Sequence, residues 1–567
     1  MSDVLVRKNV PVEMRDGVRL YADVFLPAGG GQHPVLLQRT AYDKTSQTAS
    51  SMLNPVRAAS EGYAVVVQDS RGRYTSEGDF DPFFCEVDDG YDTVEWCAAQ
   101  DWSNGDVGMY GMSYVGATQW LAAISSPPHL RAIFPVMTAA DYFDGWVYQG
   151  GAFYLAFTSA WVAQFLAAPH LSRMGLKPEE RAAEERRLML SIERLRRHVS
   201  HLPLSELPML KPDSLAPYFY EWFRHPCRDD YWKRITIPIH HDEIDVPAFN
   251  LGGWYDLFIA GPVRNFEGLR ERARTSTARE GQRLVMGPWT HNSPSISVAG
   301  QRNFGYDATL LLEDLQLEWF GHWLRGGDSA VLKSPAVRYF VMNKGWREAQ
   351  EWPAAGTSEA RFFLNSGGRA NGLEGDGGLS LDPPGAGSPP DVFLYNPANP
   401  PGPAGAAGIH DQRSVEQRQD VLVYSTPPLK EGVEVAGPVR LVLHASSSAP
   451  DTDWYAKLVD VSPNGYAANV CDGILRARFH KSDESPELLE ANRPYCFEVD
   501  MLVTANFFQP GHQIRLEVSS ACFPKFDRNP NTAEWPAMAK ALQPAMQTVF
   551  HDELRPSHLV LPVSPEN

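Results

Sequence analysis

The 567-residue sequence has few cysteines, no cluster of basic residues and no long apolar run. Its six cysteines are scattered without a C-x-x-C pair, which predicts reduced thiols and not a disulfide framework. No uncharged apolar stretch reaches the roughly 18 residues that a membrane-spanning helix needs. Residues 1–8 lack the apolar core of a secretion signal. These absences lead us to expect a soluble cytoplasmic protein, although a mature secreted form with its leader removed would show the same absences.

The charge balance is acidic, with 51 lysines and arginines against 69 aspartates and glutamates, a formal net charge of -18. Without a basic stripe, we expect neither nucleic acid nor an anionic membrane as a partner. The run His240-His241-Asp242-Glu243 invites a metal interpretation. Its residues are adjacent and lack the i, i+4 spacing of a helical zinc site, so we predict a surface loop there, no metal site and no cofactor.

The first third of the chain alternates strand and helix patterns. Val35–Leu37 and Ala64–Gln68 are short apolar runs of the kind found in buried parallel strands. Asp88–Ala99 has helical periodicity, Val107–Tyr110 is the next strand, and Ala117–Ile124 the next helix. This alternation predicts the α/β class, with a parallel sheet covered by helices on both faces.

The secondary-structure pattern changes in the later segments. A chain of this length is expected to form about three or four domains. No convincing strand interrupts the region from about residue 140 to residue 239, where aromatic residues precede a charged helix from Pro178 to Val199. After Ser334 the spacing of short strands predicts a jelly-roll β-sandwich. The candidate strands are Val337–Met342, Val439–Ala445, Asp453–Val461, Tyr495–Val503 and Gln513–Val518. We therefore predict an α/β domain in two parts, 1–140 and 240–333, a helical cap at 141–239 and a β domain at 334–567.

The run Gly111-Met112-Ser113-Tyr114-Val115-Gly116 lies between a predicted strand and a predicted helix. A serine between two glycines at such a turn is the pattern of a nucleophile elbow, because the glycines remove side chains that would collide in the turn. The second glycine comes one residue later than in the standard elbow. Since small residues also pack strands against helices, the motif alone leaves a structural role equally open.

A serine hydroxyl becomes a useful nucleophile only beside a base that a third group orients. In this fold the acid and then the histidine should follow the serine, each just after a strand. Asp256 follows the predicted strand Val246–Leu251, and His291 follows Arg283–Met286. Taken singly, Asp256 could be a helix cap and His291 a structural histidine. Their joint order behind Ser113 favours a catalytic triad.

The tetrahedral intermediate also needs hydrogen-bond donors for its oxyanion. One expected donor is the backbone N–H of Tyr114, the residue after the serine. The second should come from the loop Gln38–Lys44, which has no His-Gly-Gly-Gly motif. The phenol of Tyr42 could supply it, or Tyr42 could merely pack.

Five motifs together resemble the cocaine esterase family of serine hydrolases, which is related to X-Pro dipeptidyl peptidases and α-amino acid ester hydrolases. They are Tyr42-Asp43-Lys44, Asp69-Ser70-Arg71-Gly72-Arg73, Gly111-Met112-Ser113-Tyr114, Gly253-Trp254-Tyr255-Asp256 and Gly287-Pro288-Trp289-Thr290-His291. The resemblance covers nearly the whole chain. It implies an α/β-hydrolase domain, an inserted helical cap and a C-terminal jelly roll.

The resemblance also implies roles for individual residues: Ser113 as nucleophile, His291 as base, Asp256 as acid, and Tyr42 with the Tyr114 N–H as the oxyanion hole. It places Phe258 as an aromatic wall of the acyl pocket. Trp146 and Trp161 in the cap could line the pocket as well, or could pack within the cap. The cap is the part of the chain where the resemblance is weakest.

Three functional hypotheses remain at this stage. The first is a hydrolase that cleaves small-molecule carboxylic esters through an acyl-enzyme. The second keeps the machinery for amides, as in an X-Pro dipeptidyl peptidase or an α-amino acid ester hydrolase or β-lactam acylase, with Asp141, Asp144 and Glu221 as candidates to hold a substrate ammonium. The third is carbohydrate or partner binding through the jelly roll. The oligomeric state stays open, a homo-oligomer included.

Overall fold

The computed structural model describes residues 3–47, 52–291, 294 and 296–565. Within this part of the chain, ten strands form a mostly parallel sheet whose two edges are antiparallel. In spatial order they are Val4–Glu13, Arg19–Pro27, Ala64–Asp69, His33–Thr40, Ser103–Met112, Leu130–Val136, Phe249–Tyr255, Arg283–Thr290, Val337–Val341 and Gly345–Ala349. The central strands are buried because helices cover both faces, as the apolar runs predict.

The helices of the α/β domain follow the predicted pattern. Those on or near the sheet are Pro55–Ser60, Glu86–Ala98, Tyr114–Ile124, Ala260–Arg272, Ser276–Glu280, Leu312–Arg325 and Ala330–Lys333. The helix Leu312–Arg325 ends at Gly326, whose φ of +67° is the left-handed conformation that favours glycine at a helix C-terminus. Two small elements, the strand pair Val298–Ala299 and Arg302–Asn303 and the 3₁₀ turn Tyr306–Ala308, connect the sheet to this helix.

The segment between the two parts of the α/β domain is mainly helical. Its helices are Leu155–Trp161, Ala168–His170, Pro178–Glu193, Leu195–His198, Pro217–Trp222 and Asp230–Lys233, with a π-helical turn Val162–Ala167 and 3₁₀ turns Leu171–Arg173, Leu204–Glu206, Pro208–Leu210, Asp213–Leu215 and Ile237–His240. The expectation of no strand here is wrong: Tyr148–Gln149 and Ala152–Phe153 form a short hairpin. The expected surface loop at residues 240–243 is also partly wrong, because His241 is buried against Asn265.

The C-terminal region is a β-sandwich domain of the predicted jelly-roll type. Its strands are Ser358–Asn365, Gly378–Ser380, Asp391–Tyr395, Leu422–Ser425, Val433–Ser447, Asp453–Val461, Ala467–Arg476, Tyr495–Phe508, Gln513–Ser519, Ala545–Asp552, Arg555–Pro556 and His558–Val563. A short helix, Arg413–Glu416, and the 3₁₀ turns Ala477–Phe479 and Pro536–Met538 lie between them.

The predicted start of the β domain at residue 334 needs a correction. Val337–Val341 pairs in parallel with Arg283–Thr290, so the first sheet continues past that boundary. The pattern alone could not decide this, because a short alternating strand fits an edge of either sheet. The other domain boundaries remain predictions.

The β domain shares a buried apolar cluster with the α/β domain. Trp254 and Met286 of the first sheet lie in the same cluster as Leu441 and Leu516 of the second. A charged contact joins the β domain to the cap as well: the Arg476 guanidinium binds two buried carboxylates of its own domain and the carbonyl oxygen of Gly151 in the cap hairpin. The β domain therefore packs against both the α/β domain and the cap and is not a detached module.

Candidate active site

Ser113 lies at the tight turn between the strand Ser103–Met112 and the helix that begins at Tyr114. Its φ of 62° and ψ of -126° are strained for a residue with a side chain. Close contacts explain why glycine stands at both positions that flank Ser113. A Cβ at Gly111 would lie 2.2 Å from the Val115 side chain, and one at Gly116 would lie 2.8 Å from Thr138. The wider spacing of the second glycine therefore reflects its packing against Thr138.

His291 and Asp256 come to Ser113 from neighbouring parallel strands. Each directly follows its strand, Arg283–Thr290 and Phe249–Tyr255, so both stand at the same sheet edge as the serine. The distance from His291 Nε2 to Ser113 Oγ is 2.9 Å, and that from His291 Nδ1 to Asp256 Oδ2 is 2.6 Å. The structure thus brings together all three residues that the sequence pattern selected.

The hydrogen bonds of Asp256 and His291 indicate which nitrogen of the imidazole carries the proton. The Asp256 carboxylate is buried and accepts a second hydrogen bond, from the backbone N–H of Phe258 at 2.6 Å. An ionised carboxylate can only accept, so Nδ1 of His291 carries the proton. The lone pair on Nε2 then faces the Ser113 hydroxyl, with the imidazole about one quarter exposed. This arrangement can remove a proton from the serine.

Tyr42 lies just beyond the strand His33–Thr40, beside Ser113. Trp161 of the cap donates a hydrogen bond from Nε1 to the Tyr42 phenol oxygen at 2.8 Å. Burial raises the pKa of Tyr42 above its ordinary value, although hydrogen bonds with Trp161 and Ser113 act in the opposite direction. The phenol therefore keeps its proton, and since its oxygen already accepts from the indole, the O–H group can act as a hydrogen-bond donor.

Two charged residues of the Asp69–Arg73 motif hold the Tyr42 loop. Asp69 accepts hydrogen bonds from the backbone N–H and the ammonium of Lys44, at 2.8 and 2.7 Å. Arg73 donates to the carbonyl oxygen of Ala41 at 3.0 Å and to that of Phe165 in the cap at 2.7 Å. These contacts fasten the loop to the cap and fix the position of the phenol.

The predicted aromatic pocket residues form one packed wall. The rings of Trp146 and Phe258 stack with centroids 4.1 Å apart, and Phe258 meets the His291 imidazole edge-on at 5.1 Å. Trp161 packs on Trp146 at 5.3 Å. All three residues are buried. Their contact with substrate stays a prediction, whereas their contact with one another and with the imidazole is a structural fact.

A cavity of about 390 Å³ opens beside this wall. His291 and Leu257 line it from the α/β domain, Phe157 from the cap, and Ala406 and Asp472 from the β domain. Nothing in the sequence singles out the β-domain residues of this cavity. They come from a loop rich in glycine, proline and alanine and from strand interiors, and neither carries a recognisable catalytic pattern.

The acidic residues considered for binding an ammonium are all ion-paired. Asp141 pairs with Arg228, and Asp144 pairs with Arg264 at 3.0 Å. Glu221 contacts the neighbouring Arg224 and His225. The structure does not gather them into a free carboxylate cluster.

Among residues 3–47, 52–291, 294 and 296–565, no three His, Cys, Asp or Glu side chains are placed to hold a metal ion. In the same part of the chain no helix is both long enough and apolar enough to span a bilayer.

Comparison with known proteins gives matches along most of the chain. Residues 16–293 match the X-Pro dipeptidyl-peptidase family S15, and residues 329–560 match the X-Pro dipeptidyl-peptidase C-terminal non-catalytic domain. Cocaine esterase from Rhodococcus sp. (strain MB1 Bresler) is 39% identical, with 98% of each chain covered.

Solved structures agree with this assignment. An α-amino acid ester hydrolase superposes with a TM-score of 0.84 at 27% identity, covering 99% of this chain and 97% of the other. An aminopeptidase from a marine sediment Thaumarchaeota archaeon has the same fold, with a TM-score of 0.82 at 24% identity and coverage of 100% and 97%. The chain therefore belongs to the cocaine esterase family of serine hydrolases and is a serine carboxylic-ester hydrolase.

Proposed function

We propose that the protein cleaves small-molecule carboxylic esters with Ser113 as nucleophile, His291 as general base and Asp256 as the acid that orients the imidazole. The observation that carries this proposal is the hydrogen-bond chain from the Asp256 carboxylate through both ring nitrogens of His291 to Ser113 Oγ. Each member of the chain has the partner that its role requires.

In the acylation step, the proton of Ser113 passes to Nε2 of His291 while Oγ attacks the ester carbonyl carbon. The charge that develops on the carbonyl oxygen is stabilised by two donors, the Tyr42 phenol and the Tyr114 backbone N–H. Tyr114 is the first residue of its helix, where the N–H has no acceptor within the helix. The C–O bond then breaks, and His291 returns its proton to the departing alcohol.

In the deacylation step, a water molecule takes the place of the alcohol. His291 accepts a proton from this water as the water attacks the acyl carbon. Collapse of the second tetrahedral intermediate returns the proton to Ser113 Oγ and releases the carboxylic acid. The enzyme is then ready for another substrate molecule.

The ion pairs around the site support an ester substrate over one that must carry a free amine. A carboxylate that binds a substrate ammonium has to be free of a resident cation, whereas Asp141 and Asp144 already face arginines. A direct test compares an α-amino acyl ester with its des-amino analogue. We expect equal or better turnover of the des-amino ester; a strong preference for the amine would favour the amide-directed alternative.

The proposal is tested by Ser113→Ala, with Ser366→Ala as a matched control. Ser366 in the β domain also contacts a histidine, His551, at 3.0 Å. Ser113→Ala should lower kcat for a chromogenic ester by about four to six orders of magnitude and abolish labelling by a fluorophosphonate probe. Ser366→Ala should leave both unchanged. Substantial hydrolysis by folded Ser113→Ala enzyme would refute the assignment.

A further inference from the structure

The backbone N–H of Tyr114, one of the two proposed oxyanion donors, belongs to a residue whose side chain is completely buried. Its ring packs among the aromatic residues around the site. It meets the ring of Tyr42, the other proposed donor, edge-on at 6.1 Å, and lies 6.1 Å from Trp161 and 6.4 Å from Trp146. The position of this one ring therefore affects both oxyanion donors and the aromatic wall.

Two hydrogen bonds hold the phenol oxygen of Tyr114. The backbone N–H of Phe83 donates to it at 3.1 Å, and the phenol donates to Oε1 of Glu86 at 3.0 Å. Burial and the nearby charge of Glu86 raise the pKa of Tyr114 well above its ordinary value, so the phenol keeps its proton. Because a backbone N–H can only donate, the direction of both hydrogen bonds is fixed.

Glu86 is itself held by a buried ion pair. It is the first residue of the helix Glu86–Ala98, and Nη1 of Arg39 lies 2.5 Å from its Oε2, with neither side chain exposed. The guanidinium is held in turn, since its Nε donates to Gln68 Oε1 at 2.8 Å. Both oxygens of Glu86 thus face donors, as an ionised carboxylate requires. Glu86 is therefore a fixed acceptor for the Tyr114 phenol.

Arg39 also connects the two segments that carry the proposed oxyanion donors. It lies in the strand His33–Thr40, which leads to Tyr42. Its carbonyl oxygen accepts a hydrogen bond at 3.2 Å from Oγ1 of Thr118, in the helix that begins at Tyr114. The buried group around Glu86 therefore joins the strand before one donor to the helix that begins with the other.

We propose that Glu86 is a positioning residue for the oxyanion hole, a step that rests on the proposed function. By accepting from the Tyr114 phenol, it fixes the residue whose backbone N–H faces the developing oxyanion. Glu86 is fully buried, so it acts through Tyr114 and not on the substrate. The effect on the rate can be large, because a misplacement of about 1 Å in a catalytic site can cost about 10²-fold.

The first test changes each end of the hydrogen bond between Glu86 and Tyr114. An amide has one oxygen, so Glu86→Gln cannot accept from the phenol and from Arg39 through two oxygens. Tyr114→Phe removes the phenol oxygen and keeps the backbone N–H. We expect each variant to lower kcat by about 10- to 30-fold, with KM within about twofold of wild type. If Glu86→Gln fails to fold, Tyr114→Phe tests the same contact.

In these measurements kcat is referred to the sites that a fluorophosphonate titrates to completion, so unfolded enzyme does not count. The double variant Glu86→Gln/Tyr114→Phe tests whether Glu86 acts through the phenol. Its kcat should lie within about threefold of that of the slower single variant. A trifluoromethyl ketone, which Ser113 converts to an adduct with an oxyanion, should lose affinity for each variant by about the same factor as kcat/KM.

The matched control is Asp89, a buried acid one turn along the same helix. It accepts hydrogen bonds from Arg71 at 2.9 and 2.5 Å and lies 3.9 Å from Arg39. Asp89→Asn removes one partner of a buried ion pair, as Glu86→Gln does, so it should lower the Tm. Its kcat should stay within about twofold of wild type, because the contact between Glu86 and Tyr114 is kept.

Wild-type kcat in folded Glu86→Gln or Tyr114→Phe enzyme would overturn this inference. So would an equal loss of kcat in Asp89→Asn, additive losses in the double variant, or an unchanged affinity for the trifluoromethyl ketone. Ser113→Ala separates this inference from the proposed function. If Ser113→Ala still hydrolyses the ester, the proposed function fails; if hydrolysis requires Ser113 but both single variants keep wild-type kcat, only the role of Glu86 fails.

Discussion

The molecule contains two groups of serine, histidine, aspartate and tyrosine, one at the edge of the α/β sheet and one in the β domain. In the β domain, Ser366 Oγ lies 3.0 Å from His551 Nε2, which lies 2.9 Å from Asp391 Oδ2. Tyr424 donates to the same carboxylate oxygen at 2.8 Å. In composition and in pairwise distance this group is nearly the equal of the one around Ser113.

The two groups differ in which nitrogen of the ring makes each contact. At the sheet edge, Nδ1 of His291 contacts Asp256, and Nε2 contacts the hydroxyl of Ser113. In the β domain a single nitrogen, Nε2 of His551, contacts both the carboxylate and the serine, and Ser366 itself donates to Asp391 at 2.8 Å. A nitrogen whose proton faces a carboxylate offers no lone pair to a hydroxyl.

Access and backbone geometry separate the groups further. His551 and Asp391 are fully buried, whereas the His291 imidazole is about one quarter exposed. Ser113 sits at a positive φ in a turn that presents its hydroxyl, and Ser366 has no such conformation. A catalytic triad is therefore defined by the direction of its hydrogen bonds and by access to substrate. Its residue types and distances alone do not define it.

The largest contrast should appear when each aspartate is changed to asparagine. Asp256→Asn keeps the shape but allows the opposite tautomer of His291, so kcat should fall by about 10⁴-fold. Asp391→Asn should leave kcat unchanged. Steady-state kinetics on one chromogenic ester compares both variants, and a comparable loss in the two would contradict the distinction drawn here.

A smaller difference in kcat should separate the variants Tyr42→Phe and Tyr424→Phe. Tyr42→Phe removes one proposed oxyanion donor and should lower kcat by about 10²-fold with little change in KM. Tyr424→Phe removes a donor to a buried carboxylate and should leave kcat as it is. If Tyr42→Phe raised KM alone, the phenol would be binding the ground state and not the oxyanion.

The β-domain group should instead affect stability, and with a definite pH dependence. Burial raises the pKa of the Asp391 carboxyl, but hydrogen bonds from His551, the Ala370 backbone, Ser366 and Tyr424 outweigh it and hold the pKa below the ordinary value of 3.8. Because the pKa is lower in the folded state, this stabilisation is present above about pH 4 and is lost as the pH falls through the folded pKa.

Asp391→Asn should therefore lower the free energy of unfolding by about 1–3 kcal/mol at neutral pH. The difference from wild type should shrink as the solution is acidified. Urea unfolding followed at pH 7 and at about pH 3 measures both values. If the difference in the free energy of unfolding grew at the lower pH, the ionised Asp391 carboxylate would not be the stabilising form.

The smallest effect should come from the indole that orients Tyr42. Trp161→Phe removes the hydrogen bond to the phenol oxygen while keeping an aromatic ring, so kcat should fall by about fivefold, in line with one neutral hydrogen bond. In the double variant with Tyr42→Phe, the Trp161 substitution should have little further effect. Full additivity of the two losses would show that Trp161 acts on the reaction independently of Tyr42.

Much of the fold was predictable because each strand, helix and tight turn depends on neighbours along the chain. The elbow glycines, the apolar strands and the order of Ser113, Asp256 and His291 are all local patterns at strand ends. Two local predictions failed for the same reason. The strand Val337–Val341 and the cap hairpin at residues 148–153 are short, and which sheet or partner a short strand joins is decided by distant residues.

The sequence by itself selected the residues that we propose for the chemistry, since parallel strands bring their carboxyl ends to one edge and so bring the residues that follow them together. Only the tertiary structure decided which nitrogen of each histidine faces which oxygen, why Ser113 differs from Ser366, and that Asp472 and Lys525 of the β domain line a cavity shared with His291. Hydrogen-bond direction and cavity shape depend on side chains from segments far apart in the chain. Their mutual orientation is set when the domains pack.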